Sequence, residues 1–457
     1  MVNAILARTG RTLPDLARVW LIVVGLLLAV AALSWHPSVR YLMLPVAVLI
    51  VWVVAAHPQP SMVALVVAAM TVPFAIGTGT QTALNVGVLG VMFFTGLWVL
   101  QMLYNRKIEL VPSRATLALV ALVFIASLSL LFSYLPWNAF AQLAPLRAQL
   151  GGLGIFALSA CAFLLAANLL RSRMWLERLV WVFVSINVVY LLGRLFRPLF
   201  WLTLGWAPGA NGSAFWIWMA ALPVGQALFN TGLSRGRRLL LLGAGALTLA
   251  VAMIKQLDWA SGWLPPLIAV GIIVMLRWPR RTLVLAPIVA IVSYFALASI
   301  RSAVTSEFSW GARLAAWQIV LQIAQLNPLL GLGPSNYYYY TPLYNILGYY
   351  VRFNSHNNYV DLIAQTGLLG TAAFFWFAAE FWREGWGLRH RVKSGFSQGY
   401  VAACMAGLVA MLITGMLGDW FLPFVYNVGI SGFRASILFW VFLGGMISLK
   451  RTDVPEA

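Results

Sequence analysis

Apolar runs recur along the whole chain, separated by short polar segments, and each is about 17 to 22 residues long, the length an α-helix needs to cross a bilayer. We predict fourteen membrane-spanning helices, and no separate soluble domain, coiled coil or repeat interrupts them. The pattern therefore predicts an all-α polytopic membrane protein, organised as a single integral membrane domain over residues 1–457. The predicted spans are 18–35, 41–56, 61–77, 83–104, 114–134, 150–170, 176–194, 213–230, 238–254, 262–277, 282–299, 358–381, 398–417 and 431–449.

Composition supports this class, because 62% of the residues are hydrophobic and only 9% are charged. A soluble protein has about a quarter of its residues charged. The net charge of +19 could suggest nucleic acid, but the basic residues form short clusters between apolar runs, which argues against it. Cys161 and Cys404 lie inside apolar runs, so no disulfide is expected. Residues 1–20 form a basic lead, after which the first apolar run is predicted to be an uncleaved anchor.

The distribution of basic residues predicts the orientation of the chain in the membrane. With a cytoplasmic N-terminus, 21 of the 30 basic residues fall in cytoplasmic segments, as the positive-inside rule expects. Both termini are then cytoplasmic, and the only long loop, residues 300–357, lies on the outer side. The basic residues left on the outer side are Arg40, Arg147, Arg194, Arg197, Lys255, Arg301, Arg313, Arg352 and Arg434.

The outer loop begins with helical periodicity from Arg313 to Leu326, which predicts a helix lying in the membrane interface. Asn327-Pro328 ends that helix, because a residue before proline disfavours the helical conformation. Seven tyrosines follow between Tyr337 and Tyr350, and they are interpreted first as interfacial anchors and second as a sugar-binding surface. The predicted apolar stripe of the helix consists of Leu314, Trp317, Leu321 and Ala324.

His356 is the candidate for proton transfer. Ser355 is a favourable N-cap, so a helix is predicted to begin at His356 or Asn357. The positive end of the helix dipole would keep the imidazole neutral and able to accept a proton. From the local sequence alone, the favoured interpretation is a histidine that is merely hydrogen-bonded at an interface, and catalysis is the alternative.

The outer arginines predict an anionic partner. The outer side carries nine basic residues but only four acids, Asp258, Glu307, Asp361 and Asp419. Guanidinium groups bind phosphate through paired hydrogen bonds, and a lipid-linked diphosphate would supply that charge at membrane depth. Arg313 opens the interfacial helix of the loop that carries His356, so the two side chains can converge. No metal-ligand cluster or phosphate-binding glycine loop is evident, so we expect no metal, cofactor or nucleotide.

Three stretches resemble the O-antigen ligase and polymerase superfamily: RLAAW at 313–317, NPLLGLGPSN at 327–336 and SHNNYVDLIAQTGLLG at 355–370. The resemblance implies a GT-C-like helical membrane glycosyltransferase with interfacial helices in a large outer loop. It implies a metal-independent enzyme of the bacterial inner membrane, with its active site facing the periplasm. Such enzymes pass a glycan from undecaprenyl diphosphate to an acceptor hydroxyl, on lipid A core in ligases, a lipid-linked glycan in polymerases or a protein serine in oligosaccharyltransferases.

Carried over by residue, the resemblance matches His356 to the family histidine and Arg313 to the arginine before the tryptophan. We expect His356 to be the general base and Arg313 to bind the diphosphate, and a direct single displacement would invert the anomeric centre. A second family arginine has four competing positions here, Arg194, Arg197, Lys255 and Arg301. A Ser-Arg-Gly common at the tenth span is replaced by residues 258–262, DWASG. The predicted substrate-binding residues are Arg301, Arg352, Arg194, Lys255, Tyr349 and Asn357.

The preferred function is thus an O-antigen ligase-like glycosyltransferase, and a polymerase of the same superfamily is the close alternative. A transporter or flippase for lipid-linked sugars would need charged residues through the spans or paired broken helices. The sequence offers chiefly Glu380 and Asp361 for that purpose. A non-enzymatic assembly scaffold would leave the excess outer arginines unexplained.

Overall fold

The structure is a computed structural model that describes residues 51–77, 83–203, 212–255, 259–282 and 307–454. The chain divides after Ser61 into two compact units, of which the first contributes only 51–61 to the described part. The predicted span 18–35, nearly all of 282–299 and most of 41–56 lie outside the described residues, as does Arg301.

The described part consists mainly of helices, and nine of its helices are long and apolar enough to cross a membrane. These nine are α2–α5, α7, α8 and α10–α12; α1 and α6 are shorter apolar helices. Together they correspond to the eleven predicted spans of this part of the chain, whereas the total of fourteen stays a prediction. The helices are α1 (Pro58–Thr71), α2 (Val86–Tyr104), α3 (Arg114–Phe132), α4 (Leu146–Leu169), α5 (Arg173–Leu195), α6 (Ser213–Phe229), α7 (Arg235–Lys255), α8 (Ala260–Arg277), α9 (Glu307–Ala324), α10 (Asn358–Arg391), α11 (Phe396–Leu417) and α12 (Phe433–Thr452).

The first two predicted helices of this part are too long, because a small sheet lies between them. Helix α1 ends at Thr71, two residues before Pro73, since proline has no N–H for a helical hydrogen bond. Strand β1 (Ala75–Gly77) then pairs antiparallel with β2 (Ala83–Asn85). Asn85 caps α2, its side-chain oxygen accepting a hydrogen bond of 3.1 Å from the N–H of Val88. The all-α prediction thus missed one two-stranded ribbon.

The helices bury apolar side chains against one another and expose others where lipid would lie. Helix α6 is the most enclosed, since nearly all of its side chains are buried, and it packs against α7, α8 and α11. Helix α10 packs against α3, α9 and α11. On α3, the large apolar side chains Leu117, Phe124 and Leu131 are exposed at seven-residue spacing. An exposed apolar stripe of this kind is a surface for lipid rather than water.

Helix α10 is broken near its N-terminal end, and a loop fills the break. Gly367 has a φ of +64°, which interrupts the helical hydrogen bonds around it. Residues 327–333 dock there and form four backbone hydrogen bonds of 2.8 to 3.1 Å with the groups that the break leaves unpaired. The bonds run from the N–H groups of Leu332 and Gly333 to the carbonyls of Ala364 and Gln365, and from those of Leu368 and Leu369 to the carbonyls of Pro328 and Leu329.

Helix α9 packs through a different face from the one predicted. Ala316, Val320 and Ile323 are buried, and Val320 and Ile323 join a core cluster. Leu314 and Leu321 of the predicted stripe are 51% and 39% exposed. The predicted stripe is therefore divided, because α9 packs against α10 through the neighbouring positions and leaves those two leucines on its outer surface.

Candidate active site

The segment before α10 places His356 in a strained backbone conformation. Its φ is +50°, a left-handed value that costs a non-glycine residue about 1 to 3 kcal/mol. The conformation is held by the flanking residues, since the Trp317 indole N–H donates to the carbonyl of Ser355 at 2.8 Å. Residues in strained conformations of this kind cluster at functional sites.

Asn357, rather than Ser355, caps α10. The Asn357 side-chain oxygen accepts from the N–H groups of Tyr359 at 2.9 Å and Val360 at 3.4 Å. The predicted Ser355 cap is wrong because its hydroxyl lies 2.7 Å from the Asp361 carboxylate and accepts from the Asn357 N–H at 3.0 Å. The predicted substrate-binding residue Asn357 is buried, and its oxygen is occupied by the helix.

Buried Asp361 fixes this segment from the protein interior. Its carboxylate accepts hydrogen bonds from the hydroxyls of Tyr337 and Ser355. The Tyr337 ring stacks on Phe424 at a centroid distance of 4.9 Å. Tyr337 and Tyr340 are buried, so neither is the interfacial anchor that the sequence suggested.

The connection between α11 and α12, residues 418–429, completes the site. Asn358, the first residue of α10, holds this connection by donating to the Leu422 carbonyl at 2.7 Å and accepting from the Phe421 N–H at 3.2 Å. Within it, the buried carboxylate of Asp419 accepts from the Phe424 N–H at 2.8 Å and from the Asn427 amide at 2.6 Å.

Asn427 links Asp419 to His356. Its amide nitrogen lies 3.3 Å from His356 Nδ1. An amide nitrogen carries two hydrogens, and since one is donated to Asp419, the other is available to Nδ1. That arrangement puts the proton of the neutral imidazole on Nε2 and leaves the lone pair on Nδ1.

Burial and mutual charge effects shift the pKa values of three ionisable groups in the site, His356, Asp419 and Arg313. Burial lowers the pKa of His356, Asp419 opposes that effect, and Arg313 adds to it. Burial raises the pKa of Asp419, while hydrogen bonds from Phe424 and Asn427 and the charge of His356 oppose the rise. Burial also lowers the pKa of Arg313, against the effect of Asp419. The neutral imidazole agrees with the sequence prediction, but its first cause is burial rather than the helix dipole.

Arg313 and His356 converge, as their shared loop predicted. Arg313 lies on α9 and donates through Nη1 to the carbonyl of Leu417 at 3.1 Å, two residues before Asp419. Its charge therefore acts on both His356 and Asp419.

The remaining predicted substrate-binding residues lie in several places. Arg352 stacks over the Tyr339 ring at 4.1 Å and approaches the Gln142 side chain at 3.5 Å. Tyr349 is exposed and exchanges backbone hydrogen bonds with Ile346. Arg194 lies in the last turn of α5, and Lys255 is the exposed last residue of α7.

Tyr426, the neighbour of Asn427 in the chain, packs against two other tyrosine rings. Tyr426 stacks on Tyr338 with a centroid distance of 4.4 Å and an interplanar angle of 8°, and its ring lies 5.7 Å from that of Tyr339. We call Tyr338, Tyr339, Tyr426 and Arg352 the tyrosine platform. Its rings are partly exposed beside the site.

Sequence reasoning missed Asp419, Asn427 and Tyr426, which all come from the connection between α11 and α12. Asn427 lies 71 residues from His356 along the chain, so no local pattern joins them. The one available signal was an acid, Asp419, beside an apolar span on the predicted outer side.

Comparison with protein-family models supports the resemblance that the sequence suggested. No curated protein matches the chain. Residues 217–375 match the family model Wzy_C, described as O-antigen ligase. This stretch includes Arg313, His356 and the break in α10, whereas Asp419 and Asn427 lie beyond it. The match confirms the predicted resemblance: residues 217–375 are similar to the O-antigen ligase family.

Proposed function

We propose that this protein is an O-antigen ligase-like glycosyltransferase of the bacterial inner membrane that moves a glycan from undecaprenyl diphosphate to an acceptor hydroxyl. The family match implies a membrane glycosyltransferase acting on lipid-linked glycans, and the apolar helices imply a multi-pass membrane protein. The observation that carries the proposal is the convergence of His356, Arg313 and the Asp419–Asn427 pair at the N-terminal end of α10. This transfer needs a base for the acceptor hydroxyl and positive charge for the leaving diphosphate, and this cluster offers both.

The proposed reaction is a single displacement at the anomeric carbon. The acceptor hydroxyl replaces Asn427 at His356 Nδ1 and gives its proton to that nitrogen while its oxygen attacks. The bond between the anomeric carbon and the diphosphate oxygen breaks, so the configuration inverts and undecaprenyl diphosphate leaves. Asp419 stabilises the imidazolium, and Arg313 stabilises the negative charge that develops on the leaving diphosphate.

The tyrosine platform is the proposed place for the sugars. Aromatic rings pack on the apolar faces of sugar rings, and Tyr339 and Tyr426 are partly exposed in the platform that includes the chain neighbour of Asn427. Arg352, held over Tyr339, and the exposed Tyr349 are proposed to contact the glycan. Arg194, Lys255 and Arg301 remain candidates for the second cation at the diphosphate.

Replacing Arg313 by lysine is expected to lower kcat/KM for the lipid-linked donor by about 10²-fold. Lysine keeps the charge but loses the planar pair of donors that fits a phosphate. The assay is donor-dependent glycan transfer by the purified protein. Arg147→Lys, at an exposed position near the start of α4, is the matched control and keeps normal activity. Equal activity of the two variants would remove Arg313 from the reaction.

Replacing Asp419 by asparagine is expected to change the pH dependence of transfer. His356 acts as a base only when neutral, so the rate falls as the pH drops below its pKa. Asp419 raises the pKa of His356, so its removal lowers that pKa further and moves the acidic limb of the kcat/KM profile to lower pH. The weaker base also lowers the plateau rate, by roughly tenfold. An acidic limb that stays in place, or moves to higher pH, would contradict this role.

Ligase and polymerase differ in the acceptor, and the matched motifs serve both. The deciding experiment incubates the purified protein with lipid-linked glycan alone, then with added lipid A core. Laddered glycan products without lipid A core indicate a polymerase, and a single transfer that needs lipid A core indicates a ligase.

The loop docked in the break of α10 argues against a flippase. Transporters use unwound helix segments whose free backbone groups bind substrate or ions. Here residues 327–333 satisfy the backbone groups at the break.

A further inference from the structure

A second basic site lies away from the outer loop, in a pocket of about 700 Å³. Three segments line it: the loop after α2, the turn after α4 and the end of α12. Lys107, Arg171, Lys450 and Arg451 contribute four cations to the lining, and Glu109 contributes its one carboxylate. The distribution of basic residues predicts that all three segments lie on the cytoplasmic side.

The cations exceed the acids that contact them. Arg171 and Lys107 share the carboxylate of Glu109, at 2.9 and 3.8 Å, and Lys450 pairs with Glu384 at 3.2 Å. Two carboxylates therefore face four cations. The side chains of Lys107 and Arg171 remain 73% and 47% exposed, so both are available to a further anion.

Two of the four cations have structural roles within the protein. Arg451 donates to the carbonyl of Asn168 at 2.8 Å, and Lys450 donates to that of Pro112 at 2.5 Å. These bonds satisfy carbonyls where α4 ends and before α3 begins. These structural contacts account for Lys450 and Arg451. Lys107 and Arg171, by contrast, share a single carboxylate, so their positive charge is only partly balanced.

The pocket lies at the level where candidate membrane spans end. Helix α2 ends at Tyr104, α3 begins at Arg114, α4 ends at Leu169 and α12 ends at Thr452. The ends of spanning helices lie at the headgroups of a bilayer. Next to the pocket, Leu103 and Ile108 are exposed apolar side chains, which suit acyl chains better than water.

We propose that this pocket binds the phosphate of an anionic phospholipid, with Lys107 and Arg171 as its main ligands. Basic pockets between membrane helices on the cytoplasmic side recognise such headgroups. Lys450 and Arg451 complete the positive lining, and the acyl chains lie against Leu103 and Ile108. This site is separate from the proposed glycan transfer, and neither depends on the other.

Native mass spectrometry of the detergent-purified full chain tests the proposal. The chain is incubated with phosphatidylglycerol or phosphatidylcholine at equal concentration, and phosphatidylglycerol is expected to be retained preferentially. Lys107→Gln and Arg171→Gln should each weaken that binding about fivefold. Glu109→Gln should strengthen it, because both cations lose their competing carboxylate. A purely structural role of Glu109 predicts no such gain.

Arg235→Gln and Arg237→Gln are matched controls, because these exposed arginines at the start of α7 lie outside the pocket. Both should leave phosphatidylglycerol binding unchanged. Equal retention of the two lipids, or equal losses in pocket and control variants, would overturn the proposal. Binding of inorganic phosphate, without preferential retention of phosphatidylglycerol, would also overturn the proposal, because the pocket would then bind a soluble anion.

Discussion

Replacement of His356 by alanine is expected to lower glycan transfer by about 10² to 10⁴-fold, the usual contribution of a general base. The loss follows because the other acid–base group beside Asn427, Asp419, is buried and its carboxylate already accepts hydrogen bonds from Phe424 and Asn427. Transfer is measured with purified protein in detergent, together with the thermal unfolding midpoint, so that a folding defect is distinguished from a chemical one.

His390→Ala is the matched control, since His390 is exposed in the last turn of α10. It should keep normal transfer. His356→Gly adds a second readout: it should lose activity but gain stability of about 1 kcal/mol, because glycine accepts a φ of +50° without strain. Near-normal product formation by His356→Ala would sink the assignment of the base.

Replacement of Gly367 by alanine is expected to destabilise the protein by about 4 kcal/mol, combining backbone strain with overpacking. A Cβ at Gly367 would lie 2.2 Å from the carbonyl oxygen of Leu329, and the backbone there has a φ of +64°. The docked loop 327–333 would have to leave the break in α10. Its loss would also disturb α9, which precedes the loop and carries Arg313.

Gly387→Ala, in the same helix, is the control for this prediction. A Cβ at Gly387 meets no atom within 4 Å, and alanine favours a helix more than glycine does. This variant should unfold at or slightly above the temperature of the parent protein. The measurement is the midpoint of thermal unfolding in detergent. Equal midpoints for Gly367→Ala and Gly387→Ala would show that the docked loop does not depend on glycine at position 367.

Within the described residues, sequence alone predicted the long apolar helices well, because long apolar runs in a chain with few charges have few other solutions. It failed where a short element depends on pairing in space. The ribbon of β1 and β2 lies between Pro73 and Asn85, where the end of one helix and the start of the next were predicted, and neither three-residue strand has a pattern of its own. Composition could not distinguish these residues from the ends of two spans.

The residues of the candidate site were likewise only partly predictable from the sequence. Arg313 and His356 were predictable because they share one loop and one family pattern. Asp419 and Asn427 were not, since α10 and α11 separate them from His356 and only the packing of the connection on Asn358 brings them together. The N-cap was misplaced by two residues because Asp361, a full turn into the helix, binds the Ser355 hydroxyl.

The most direct measurement is the balance between transferred glycan and released undecaprenyl diphosphate, made with purified protein, lipid-linked glycan and an acceptor. We expect one undecaprenyl diphosphate for each glycan transferred, with inverted anomeric configuration, and the loss of both products in His356→Ala. Movement of the lipid-linked glycan across a bilayer without release of undecaprenyl diphosphate, or equal release by His356→Ala, would contradict a glycosyltransferase built on His356.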